Sequence, residues 1–104
     1  MSFSVLVFDM SRTGEPDGER LVNGFETIEA ARAYAEARVR SSIEELRSDG
    51  QSWDELRSLW HIYGEDCSVL GDTYKGRENL HRYIAEPATP EQTAWSSLTP
   101  DQAG

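Results

Sequence analysis

"SWDELRSLWHIYGEDCSVLGDTYKG", residues Ser52 to Gly76, decides how this chain is built. It opens on a capping box: the Ser52 hydroxyl can accept a backbone amide, and Glu55, three residues on, can reach back to it. A helix therefore starts at Trp53. Two readings of its end compete. In one, Trp53, Leu56, Leu59, Trp60 and Tyr63 form a helical stripe that stops at Gly64. In the other, the helix stops near Ser58 and "WHIYGEDCSVL" is a strand distorted at Gly64. The strand is the preferred reading, because Trp60, Ile62, Tyr63 and Val69 are strand formers. Gly71-Asp72 then supplies a hairpin turn.

The same stretch concentrates reactive residue types. With His81 further on, His61, Glu65 and Cys67 make the candidate ligand-binding set. On an extended strand His61 and Cys67 share a face but lie roughly 20 Å apart, at about 3.3 Å per residue. They converge only if Gly64 to Asp66 folds the chain back. The spacing His61-x5-Cys67-x13-His81 matches no standard zinc pattern, so neither a metal nor a cofactor is expected. A lone Cys in a small domain reads as a small buried apolar residue. Glu65 and Asp66 are adjacent and point to opposite sides of a strand, so they would not face one substrate together. No catalytic residue is assigned, and the chain reads more as a non-enzyme than as an enzyme.

Upstream, "FSVLVF" (Phe3 to Phe8) is a strand with Phe3, Val5 and Val7 on one face and Ser4, Leu6 and Phe8 on the other. Both faces are apolar beyond Ser4, which predicts a central strand. Ser11 to Arg20 reads as a loop on its Gly14, Pro16, Asp17 and Gly18, and it lacks the GK[ST] of a phosphate-binding loop. Thr27 to Asp49 is a long helix: Ile28, Ala31, Ala35, Val39, Ile43 and Leu46 recur every three or four residues. Thr27 is its N-cap and Gly50 its stop. The outer face carries Glu29, Arg32, Glu36, Arg40, Glu44 and Arg47, read as a solvated ladder of pairs.

Downstream, Arg77 to Ala85 reads as a helix with Leu80, Tyr83 and Ile84 on its apolar face, ended by Pro87. Thr89-Pro90-Glu91-Gln92 starts a further short helix through Trp95 to Leu98. Trp95 is the candidate interface residue, since Trp is enriched at binding hot spots; the plainer reading is a lid that pins the tail. Residues 1–98 form one domain and 99–104 a fraying tail.

The chain has 104 residues, one Cys and a net charge of −9, with acids and bases spread throughout. That charge disfavours nucleic acid and anionic lipid as partners, despite the basic stretch of Lys75, Arg77, His81 and Arg82 between Tyr74 and Tyr83. The single Cys, the absence of a membrane-length apolar segment and an N-terminus without a signal-peptide pattern predict a cytoplasmic protein.

"LWHIYGEDCSV" and "YIAEPATPEQTAW" resemble a family of small uncharacterised bacterial proteins, a domain of unknown function, whose members carry a strand, a long helix and a Trp-x-x-x-Gly-Glu-Asp segment. The resemblance implies an α+β domain and a bacterial source, and no activity. The residues taken together predict an α+β fold: a small, mostly antiparallel sheet of three strands, one long helix on it, and two or three short helices. A long helix covers one sheet face and leaves the other face and the sheet edges to the short helices or to a second copy of the chain; a protein partner or a homodimer is the association expected. The functional expectation is a protein–protein interaction module; the alternative is a small-ligand or catalytic domain built on His61, Glu65, Cys67 and His81.

Overall fold

The strand Phe3–Asp9 (β1) lies in the middle of the sheet, as its two apolar faces predict. A computed structural model describes residues 2–100. In chain order the other elements are β2 (Glu19–Phe25), α1 (Ile28–Leu46), α2 (Trp53–Tyr63), β3 (Glu65–Val69) and α3 (Leu80–Ala85). Short 3-10 turns at Met10–Arg12, Pro16–Gly18, Gly76–Asn79, Glu91–Thr93 and Trp95–Leu98 link and follow them. The sheet order is β2-β1-β3, antiparallel throughout, so the α+β class holds.

Val5 and Val7 stand opposite Val69 and Cys67. Directly opposed residues share a face, so these four make the buried layer on which α1 lies. The third strand is not the one the Gly71-Asp72 turn suggested. Gly71 does turn, at φ +86°. Past it, only a single bridge joins Ser68 to Lys75. The third strand is β2, which takes in Glu19 and Arg20 at the end of the expected loop. Its periodicity is weak because it is an edge strand with only Phe25 buried.

α2 runs to Tyr63, which corrects the preferred strand reading of residues 59–63. The Ser52 hydroxyl accepts the Glu55 amide at 3.1 Å, as the capping box required. Helical spacing then carries Leu56 and Trp60 into the core, 2% and 0% exposed. Strand propensity in aromatic residues is a packing preference, and the packing against α1 outweighs it. The Gly64 amide closes the helix on the Trp60 carbonyl at 2.8 Å. A Cβ on Gly64 would lie 2.3 Å from the Trp60 ring, so only glycine lets the chain turn there against the indole. The roughly 20 Å separation argued for His61 and Cys67 assumed an extended segment and falls with it.

α1 starts as read, with the Thr27 hydroxyl accepting the Ala30 amide at 3.0 Å, and ends at Leu46, three residues early. Its outer face is solvated at Glu29 and Arg32, and Glu36 pairs with Arg40 at 3.8 Å, but the later part of the ladder is packed over. Arg40 is buried, donates to the Glu86 carbonyl and lies 4.9 Å from the Tyr83 ring centroid. Glu44 and Arg47 do pair, at 2.7 Å, while Arg47 also donates to the Tyr83 and Ile84 carbonyls. The reason is topological: α2, α3 and the C-terminal turns wrap α1 on the sides the sheet leaves open.

α3 starts at Leu80 and not at the expected Arg77, because residues Gly76–Asn79 form a 3-10 turn. The Thr89 box is present: Gln92 Oε1 accepts the Thr89 amide at 2.8 Å and opens a 3-10 turn. Of the tail read as fraying, 101–104 lie outside the described residues. No helix among the described residues is long and apolar enough to cross a membrane.

Candidate interaction surface

The four candidate ligand residues have four different surroundings. Cys67 is fully buried on the α1 side of the sheet, and burial pushes its thiol well above the ordinary range. Glu65 is held by Arg38, whose Nε and Nη2 reach its two oxygens at 3.0 and 3.2 Å. His61 is exposed, edge-on to Trp60 at 5.2 Å between ring centroids. His81 is exposed, edge-on to Trp53 at 5.5 Å. Among the described residues no group of His, Cys, Asp and Glu is arranged to hold a metal ion. A Cys67 without thiolate character should resist a disulfide reagent in the folded protein and react within minutes in denaturant. Comparable rates in both states would show that the thiol is reached without unfolding.

The polar interior centres on α1. Burial alone would lower the pKa of Arg38, but its bonds to Glu65 and to the Tyr34 hydroxyl outweigh burial and leave it raised. The Arg38 guanidinium stacks 4.2 Å from the centroid of Trp95, and Trp95 meets Tyr34 edge-on at 5.9 Å. Trp95 thus pins the C-terminal turns over the Arg38–Glu65 pair. Tyr34 and Arg38 were missed in the sequence, although their spacing of four inside the apolar stripe was the available signal.

Asp66 is 2% exposed. Burial raises its pKa, and hydrogen bonds from the Cys67 and Arg77 amides, at 2.8 and 3.1 Å, pull it back. It thereby ties β3 to the turn that starts α3.

Among the described residues no α-helix packs on the other sheet face, and the 3-10 turn Gly76–Asn79 covers only its Asp66 end. Leu6 and Phe8, at the middle of the central strand, are only partly buried. Leu6 stands between Leu21 and Ser68. Phe8 stands between Glu19 and Asp66. Leu21 is 49% exposed and Leu70, just past β3, 45%. At one end of this face, Phe8, Met10, Pro16, Glu19, Asp66 and Arg77 line an open cleft of about 560 Å³. β2 is bonded on one side only and presents its other edge to solvent. The alternation of Ser4, Leu6 and Phe8 signalled this face, but the strand that completes it was not read.

No protein-family model, curated protein or solved structure matches this chain.

Proposed function

We propose that this chain is a non-catalytic protein–protein interaction module that docks through the helix-free face of its sheet and the free edge of β2. The observation that carries the reading is the partial exposure of Leu6 and Phe8 in a central strand, continuous with exposed Leu21 and Leu70. Scattered surface apolar residues are ordinary, whereas a contiguous apolar face marks an interaction surface. The unpaired edge beside it offers a partner main-chain hydrogen bonds.

A photoreactive residue placed at Leu21 should crosslink one discrete protein in extracts of the source cells. The same probe at Glu45, on the exposed side of α1, should not. Equal or diffuse labelling from both positions would refute the assignment of this face.

A further inference from the structure

We propose that the partner docks as an extended segment on the free edge of β2 and places a lysine or arginine side chain in the cleft floored by Phe8. This rests on the interaction reading above and names the chemistry of the partner.

The register supplies the geometry. From Glu19 to Val22, β2 pairs regularly with β1, residue for residue. The irregularity comes later, between the Phe3 and Val5 pairings, near Gly24 at φ +99°. The Glu19 end of the free edge is therefore the straight end, suited to strand addition. A residue paired opposite Glu19 would share its face, with Cβ atoms about 5 Å apart. Its side chain would then lie beside Glu19, one strand further out than Phe8, where a long side chain can reach over Glu19 into the mouth of the cleft.

Charge selects what enters. Arg12 is tied to Asp9 at 3.8 Å and to Asp17. Arg77 donates its backbone amide to Asp66 at 3.1 Å, and its charge opposes the rise in the Asp66 pKa that burial causes. Glu15 and Glu19, also on the cleft wall, make no ion pair among the described residues. The lining carries four acids, Asp9, Glu15, Glu19 and Asp66, against Arg12 and Arg77, so an excess of carboxylates stands beside an aromatic ring, which together suit an ammonium or guanidinium group. The net charge of −9 attracts a basic segment and repels a second copy of the chain.

The neighbouring positions refine the partner. Two residues along the strand from the basic side chain, the partner faces Leu21 and should be apolar. The residue between points to the other face, opposite Arg20, and should not be basic.

The test uses the full chain, isotope-labelled, with a blocked extended peptide carrying a lysine two residues from a leucine among threonines. Amide shifts are expected at Glu19 to Leu21 and at Phe8. A glutamate in place of the lysine should weaken binding at least tenfold. Glu19→Gln, an exposed change that spares the fold, should weaken the lysine peptide about fivefold, the scale of a partly exposed ion pair. Added NaCl should weaken it further.

Equal binding of the two peptides, shifts confined to the helices, or no shifts at millimolar peptide would each overturn the proposal. Spermidine that matches the peptide in affinity would reduce the cleft to a free-amine site and overturn strand docking. A protein mass that doubles as NaCl rises would give the face to a second copy and overturn it too. If only the peptide result fails while the Leu21 crosslink persists, the cation assignment falls and the interaction reading stands.

Discussion

Replacing Trp60 by alanine should cost about 3–5 kcal/mol of stability, the range for removing a buried aromatic side chain. Trp60 has no exposed surface and is among the largest side chains in the core. It packs α2 onto α1, and its indole N–H donates to the Ser42 hydroxyl at 3.0 Å. That hydroxyl also donates to the Val39 carbonyl at 2.7 Å, so the indole is held at a fixed point along α1. The backbone at Gly64 is moulded to the pyrrole part of the same ring, so the cavity left by alanine could close only by moving the α2–β3 junction. Trp60→Phe keeps most of the apolar area and loses the hydrogen bond, so about 1–2 kcal/mol is expected. Urea unfolding at constant pH measures both. A cost for Trp60→Ala below about 1 kcal/mol would place the ring outside the cooperative core.

Glu65→Ala is expected to cost about 2–4 kcal/mol, because it leaves a buried guanidinium without its carboxylate. The Arg38 side chain is 7% exposed and that of Glu65 29% exposed, so the pair is screened on one side only. The stranded charge keeps its bond to Tyr34 and its stack on Trp95, which limits the loss. Replacing both partners, as Arg38→Met with Glu65→Leu, should recover much of the stability, since two apolar groups carry no desolvation penalty. Unfolding of both singles and the double gives the coupling between the pair. Additive costs would mean that the two side chains act independently, and a Glu65→Ala change within about 0.5 kcal/mol would mean that the pair contributes nothing net.

Much of the frame was legible. β1 was read as central because both its faces are apolar, and it does lie between β2 and β3, with one face under α1. The candidate site was less legible. His61, Glu65, Cys67 and His81 stood out by residue type, yet they lie in the core, in an ion pair and beside two different indoles. The surface proposed for function is built from Phe8, Leu6 and Leu21. These residues draw little notice one by one, and only strand pairing brings them together.

By itself the sequence determined where α1 and α2 begin and where the first C-terminal turn opens, though not where α3 begins. Thr27, Ser52 and Thr89 each place an oxygen three residues before an amide that needs an acceptor, and all three accept it. Such rules act within one helical turn, so no distant residue can override them cheaply. The tertiary structure alone decided that α2 continues to Tyr63, that β2 supplies the third strand, and that Arg40 is buried. In each case the deciding partner lies far away in the chain: Ser42 for Trp60, β1 for β2, and Glu86 for Arg40. Burial and strand pairing are properties of such distant contacts, and local propensities of a few tenths of a kcal/mol per residue yield to them.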